Sequence, residues 1–206
     1  MTKPSGGSVT ATRPLFQGGE GSSTLTSPHQ LFIQPVTKNE AASCYRAFHY
    51  LGDTGFMSTH DFGVYFNSEL VGCISYGIPN AREIKGIYSE KEMPQWFEIK
   101  RLALSDDCPK NSESRVIAIT LRLIRKSCPH ILGVITYADT EAGHTGIIYR
   151  AAGFEYRGLT APKTDLFIDG VKVGKKGQYF RSEKEREEWR PRSRKHLFVK
   201  NFTNQE

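Results

Sequence analysis

The chain has 206 residues and a formal net charge of +6, with 38% hydrophobic and 24% charged residues. That length suits one domain with a tail at each end, and the apolar content builds a single core if some segments stay outside it. No apolar run reaches the roughly 18 residues of a membrane span and the start lacks a secretory pattern. The reading is therefore a cytoplasmic protein with no membrane partner, whose four scattered cysteines are free thiols.

Residues 1–28, rich in Gly, Ser, Thr and Pro, are expected to be loosely packed. Leu31 to Val36 predicts a first strand. Thr37 or Asn39 caps a helix to about Leu51, ended by Gly52 and Asp53. Asp61 to Phe66 and Leu70 to Tyr76 predict two strands around Asn67-Ser68. Pro79 to Pro94 reads as a polar excursion, and Phe97 to Leu104 as a central strand. After a loop over Asp106 to Lys110, Asn111 or Ser112 caps a helix through about Lys126. Ile131 to Ala138 is a buried strand. Gly143 to Ala152 is a short helix, and Tyr156 onward returns to strand. Leu166 to Ile168 and Val171 to Val173 form a hairpin on Asp169-Gly170. A charged helix around Glu183 to Glu188 is expected to stop at Pro191, before a last strand over His196 to Phe202. The order predicts an α/β sandwich rather than plain βαβ repeats, with a domain over 29–162 and a hairpin with a basic extension over 163–206.

The charge is unevenly placed. Residues 175–200 contain ten Lys or Arg and four Glu, so this segment carries the whole excess and the remainder is neutral. A neutral domain with a basic appendage predicts a polyanionic partner. Arg190, Arg192, Arg194 and Lys195 are the candidate DNA contacts; a solvated charged helix is the alternative.

Tyr137-Ala138-Asp139 ends the buried strand, where α/β sheets bind ligands. The following helix ends in Tyr149-Arg150-Ala151-Ala152-Gly153-Phe154, which resembles the Tyr-x-x-x-Gly-Phe signature of the GNAT acyltransferases. The resemblance implies an acyl-CoA N-acyltransferase fold, a mixed central sheet flanked by helices. It also implies that Tyr149 protonates a leaving group, as a phenol in a dry cleft can. Where that family has a Gly-rich phosphate turn, this chain has Cys108-Pro109-Lys110-Asn111-Ser112-Glu113-Ser114, without glycine. Helix-start amides with Lys110, Asn111, Ser112 and Ser114 remain a candidate donor site.

Further segments join these: Phe48-His49-Tyr50-Leu51-Gly52, Val71 to Pro79, Glu98-Ile99-Lys100-Arg101-Leu102 and Gly143-His144-Thr145-Gly146. Together, over about residues 31–160, they resemble the Mom family of Mu-like phages. Those are divergent GNAT-fold enzymes that convert adenine in DNA to N6-(carbamoylmethyl)adenine and so protect phage DNA from restriction. The resemblance implies catalytic roles for His49, Tyr50, Arg101, Asp139 and Tyr149. Arg101 is either paired with Glu98 or Asp139 or binds an anion. Ser114 either bonds locally or contacts ligand, and His144 is a cap, a base or a phosphate contact. Iron is the metal implied, with His49, Tyr50, Asp139 and Tyr149 as its ligands, although the spacing is not a metal motif.

Adenine N6 is paired in a duplex, so the base must be flipped or met in locally opened DNA. Tyr50, Phe56, Tyr65 and Tyr76 are the aromatic residues that could stack it. The donor is either an acyl-CoA or a glycyl-tRNA-type ester. Two alternatives stay open: a conventional N-acetyltransferase acting on a protein or small amine, and a non-catalytic DNA-binding anti-restriction protein.

Overall fold

A computed structural model describes residues 24–49, 57–173 and 187–202. In chain order the elements are β1 (Phe32–Pro35), α1 (Lys38–Phe48), β2 (His60–Phe66), β3 (Glu69–Gly77), β4 (Trp96–Leu104), α2 (Ser112–Ser127) and β5 (Gly133–Asp139). They continue with α3 (Ile147–Ala151), β6 (Glu155–Leu159), β7 (Lys163–Ile168), β8 (Val171–Lys172), β9 (Glu187–Arg192) and β10 (Lys195–Asn201). Seven strands form one sheet in the order β1-β2-β3-β4-β5-β10-β6, and β8-β7-β9 form a smaller one. In the large sheet β4 and β5 run parallel, while every other neighbouring pair is antiparallel. This is the mixed central sheet with flanking helices that the sequence predicts.

Local chemistry accounts for the elements. Thr37 and Glu40 form a reciprocal capping box at the start of α1. Asn67 and Ser68, both at positive φ, make the tight turn between β2 and β3. Side chains alternate across the sheet, so its two faces have separate cores. Phe62, Val64, Ile74, Tyr76, Phe97 and Ile99 pack with Val116, Ile117, Leu121 and Ile124 of α2. On the opposite face Cys73 and Ala103 meet Ala41, Cys44 and Tyr45 of α1. Burying these stripes stabilises the fold at roughly 25 cal/mol per Å² of apolar surface. Cys44, Cys73, Cys108 and Cys128 are free thiols, and no helix among the described residues is long and apolar enough to cross a membrane.

Three expectations change. Helix α1 stops at Phe48, with His49 already extended; Leu51, Gly52 and Asp53 lie outside the described residues. Helix α3 begins at Ile147 because Gly143 and Gly146 are left-handed. The charged helix expected around Glu183 to Glu188 is corrected where it is described: Glu187 and Glu188 open strand β9. There Pro191 is tolerated because β9 is the edge of the small sheet. Glu183 to Arg186 lie outside the described residues.

Candidate active site

The parallel pairing of β4 and β5 covers only Trp96 to Glu98 against Gly133 to Ile135. Beyond it β4 stays with β3 as far as Leu104, and β5 stays with β10 as far as Asp139. A bulge at Lys100, where the register shifts between Ser75 and Tyr76, coincides with the parting of the two halves. Between them lies a cleft of about 790 Å³, lined by both strand ends, by His49 at the end of α1 and by the loop and first residues of α3.

Arg101 comes from β4 and is 8% exposed. It pairs with neither Glu98 nor Asp139 among the recorded ion pairs. Its Nη1 donates to Nδ1 of His49 at 3.0 Å. Burial, then the nearby Arg101 and His144, lower the His49 pKa to about 4. At neutral pH the ring is therefore uncharged. With Nδ1 accepting, its proton sits on Nε2. A chain of buried hydroxyls runs beside the main chain of β4 at Arg101. Ser75 gives its one proton to Asp61, which also accepts from Ser58 at 2.9 Å. Ser75 then accepts from the Tyr45 hydroxyl at 2.7 Å, and that hydroxyl lies 3.4 Å from the Arg101 carbonyl.

Asp139 lines the same cleft from the end of β5. It accepts from the Glu141 amide at 3.0 Å and meets Lys195 Nζ at 3.3 Å. Partial burial opposes ionisation of Asp139. Hydrogen bonds from the Glu141 amide, Ser193 and Lys195 outweigh it and hold the carboxyl below its ordinary range. Tyr149 packs its ring on Phe154 and Phe198, at centroid distances of 6.0 and 5.5 Å, and lines the cleft. His144 is exposed on the cleft rim, with its amide bonded to the Asp139 carbonyl at 3.1 Å. The helix cap is Gly146, not His144. Arg101, His49, Asp139 and Tyr149 thus share one cavity. Tyr50 and Phe56 lie outside the described residues.

The start of α2 is less like an acyl-CoA diphosphate site than expected. Ser112 donates to the Pro109 carbonyl at 2.6 Å and Ser114 to the Asn111 carbonyl at 3.0 Å. Asn111 occupies the cap in a left-handed conformation without a side-chain cap bond, and Lys110 is exposed beside it. Glu113 faces the cleft, an acid where an acyl-CoA diphosphate would require the opposite sign. Tyr76 is corrected from a stacking surface to a core residue: it is fully buried and hydrogen-bonded to Thr120 at 2.6 Å. Tyr65 is half-buried in β2, outside the residues that line the cleft.

Each candidate DNA contact has an internal partner. Arg190 pairs with Glu188 at 2.7 Å and covers the Phe167 ring. Arg192 binds Asp165, whose carboxyl is held low by Arg192 and Lys172. Arg194 bonds the carbonyls of Thr160 and Leu159, at 2.7 and 3.4 Å, so these partners do not neutralise its charge. Lys195 belongs to the cleft through Asp139.

Two of the iron ligands implied by the resemblance have other partners here, and a third, Tyr50, lies outside the described residues. Nδ1 of His49 is taken by a guanidinium and Asp139 by an ammonium. Among the described residues no three His, Cys, Asp or Glu side chains converge on a point.

Sequence reasoning missed a second polar group on the cleft wall. Glu98 and Lys100 form an enclosed pair at 3.2 Å, and Asn80 joins both. Beside them burial, then Glu98, push the Tyr137 phenol up to about 12. The signal that could have found Tyr137 is its period-two spacing from Asp139 on one strand.

A family model described as the Mom protein family matches residues 30–205. The methylcarbamoylase mom of Escherichia phage Mu is 28% identical over 187 residues, which cover 85% of this chain and 77% of that protein. Among solved structures, aminoglycoside acetyltransferase AAC(6')-Ib in complex with coenzyme A gives a TM-score of 0.53 at 12% identity, covering 84% of this chain and 95% of that one. A Bacillus subtilis acetyltransferase in complex with CoA gives 0.50 at 10% identity, covering 84% and 98%. At such identities the likeness establishes the GNAT-like fold alone.

Proposed function

The chain belongs to the Mom protein family, and on that premise we propose that it is a transferase converting adenine in DNA to N6-(carbamoylmethyl)adenine. The modification would protect phage DNA from restriction in the host cytoplasm. The observation that carries this reading is the single cleft holding Arg101, His49, Asp139 and Tyr149 where β4 and β5 part. The 28% identity to the phage Mu methylcarbamoylase supports it in sequence.

Each residue has a task in that reaction. The adenine amino group is a poor nucleophile, because its lone pair is delocalised into the ring. Asp139, ionised at neutral pH, accepts a hydrogen bond from N6–H and turns the amine toward the donor. Arg101, held by neutral His49, offers guanidinium donors to the oxygen on which charge develops. Tyr149 protonates the leaving group.

The donor we favour carries an activated glycyl group, as a glycyl-tRNA-type ester. Transfer to N6 forms an amide and releases the carrier hydroxyl. The free glycine amine then attacks ring carbon C6, the bond from C6 to the original N6 breaks, and that nitrogen leaves as the carboxamide. All atoms of the product are accounted for. An acyl-CoA is the second donor; the glycine-free turn and Glu113 speak against it. Of the C-terminal cations, Arg194, whose partners are carbonyls, would neutralise a DNA phosphate directly, while Arg190, Arg192 and Lys195 would first have to leave Glu188, Asp165 and Asp139.

Expression in a bacterium followed by mass spectrometry of its nucleosides tests the reading. Adenine heavier by a carbamoylmethyl group is expected. Unmodified DNA from cells with soluble protein would contradict it. Label from adenine 15N6 should appear in the carboxamide; its retention on the ring-attached nitrogen rules out the rearrangement.

A further inference from the structure

A second groove, of about 450 Å³, runs along the outer side of α2. Lys110 precedes the helix, Arg115 lies in its first turn and Arg122 two turns on. His29 faces them, and Ala151 at the end of α3 closes one side. Among the described residues, no carboxylate lines this groove. The acid of the first turn, Glu113, belongs instead to the cleft. Over 110–126 the chain carries five basic residues and one acidic residue. The whole-chain sum hides this polarity, because acids elsewhere cancel it.

Arg115 gives the groove a specific feature. Its Nε is completely enclosed, yet has no hydrogen-bond partner among the described residues. Enclosure of Nε fixes the stem of the side chain, and the rest of half-buried Arg115 is what the groove offers to a bound anion. Arg115 and Arg122 are seven residues apart, about 10 Å of helix rise. Lys110 extends the line in the other direction, and exposed Lys126 continues it past Arg122. Cations strung over this length suit successive phosphates of a strand better than one diphosphate, which would occupy a single point. The groove ends against α3, whose opposite side presents Tyr149 to the cleft.

We propose that this groove holds the sugar–phosphate backbone of a single-stranded RNA end, the carrier of the group transferred in the cleft. The inference rests on the RNA-ester donor favoured above and adds Arg115, Arg122 and His29 to the residues that would bind it. Duplex DNA is assigned to the C-terminal side, so the two nucleic acids would meet at the cleft from different elements.

The test uses the full chain and a fluorescein-labelled twelve-nucleotide RNA ending in CCA, followed by anisotropy. Arg115→Ala and Arg122→Glu should each weaken binding several-fold, and together at least about tenfold. The salt dependence should flatten by roughly 0.7 per lost phosphate contact. Arg122 is exposed, so its substitution leaves the fold intact even if Arg115→Ala perturbs it. Affinity for a duplex DNA of equal length should not change in either variant. Unchanged RNA affinity overturns the proposal. So does displacement of the RNA by micromolar CoA, which would make the groove a CoA site, or an equal loss of duplex binding, which would make it a DNA surface. Failure of adenine modification in cells would sink the proposed function while leaving these binding results readable on their own.

Discussion

Arg101 of β4 and His49 at the end of α1 lie 52 positions apart, yet are joined by a 3.0 Å hydrogen bond from Nη1 to Nδ1. The bond needs a neutral imidazole, and burial beside the guanidinium keeps it neutral down to a pKa of about 4.

The sign of the resulting pH dependence follows. Between the unfolded value near 6.5 and the folded value near 4, the unfolded chain binds a proton at His49 that the folded chain does not. Stability from this group is therefore complete above about pH 6.5 and falls as pH drops toward 4. His49→Gln should remove that component. Urea midpoints recorded from pH 7 to 4 should converge for the parent and the variant as pH falls. Parallel curves would show that His49 is not held neutral.

Tyr149→Phe separates chemistry from packing. The ring contacts with Phe154 and Phe198 need no hydroxyl, so the thermal midpoint should move little. Loss of a general acid costs typically about 10² to 10⁴ in rate. Modified adenine per cell should fall by that order, with DNA binding intact. Full modification by the variant would remove Tyr149 from the mechanism.

Much of this cleft's lining is legible in sequence because its residues close or interrupt recognisable patterns. Asp139 closes an apolar run, Arg101 interrupts another, and Tyr149 precedes a recognisable Gly-Phe. Their shared cavity follows from the α/β pattern. What is not legible is long-range. Nothing near His49 marks Arg101 as its partner. The Lys100 bulge, which sends Ala103 to the opposite face of the sheet from Ile99, is a register event between strands. Lys195 counts as one more basic tail residue until β10 is seen between β5 and β6, which sets it opposite Asp139. The strand character of Glu187 and Glu188 was hidden for a similar reason: helix-forming glutamates are overridden by pairing with Ile168 and Phe167.

Gly146 is required by two independent constraints. Its φ of +72° is unfavourable for any side chain, and a Cβ there would lie 2.2 Å from the Phe198 ring. Phe198 is fully buried and stacks on Tyr149, so it cannot yield without disturbing the site. Gly146→Ala should cost about 2–4 kcal/mol through backbone strain and overpacking. Its urea midpoint should drop accordingly; a loss below about 0.5 kcal/mol would mean that the α3 entry can rearrange.

The Asp61 network predicts a cost without direct contact to substrate. Asp61→Ala leaves the hydroxyls of Ser58 and Ser75 without their acceptor inside the sheet. Unsatisfied buried donors of this kind cost about 1–3 kcal/mol each. Tyr45→Phe should be milder, at about 1 kcal/mol, because Ser75 keeps Asp61. If the network also steadies the Arg101 main chain, both variants lower the modification rate more than their loss of folded protein explains. Equal falls in rate and folded fraction would restrict the network to stability.

Asp139 and Lys195 are best tested as a pair. Asp139→Asn keeps the shape but removes the charge that turns N6 toward the donor, so adenine modification should fall by about 10² or more. Lys195→Ala removes one of the hydrogen bonds that keep Asp139 ionised, and the Glu141 amide remains. Its effect should therefore be smaller and pH-dependent. Because the folded pKa of Asp139 is depressed, its contribution is present above the unfolded value near 3.9 and is lost as pH falls through the folded one. Activity of the parent should stay flat across the neutral range. In Lys195→Ala the acid limb of the rate profile should move upward as Asp139 protonates more readily. A profile that does not move, alongside an inactive Asp139→Asn, would assign Lys195 to DNA contact rather than to tuning the carboxylate.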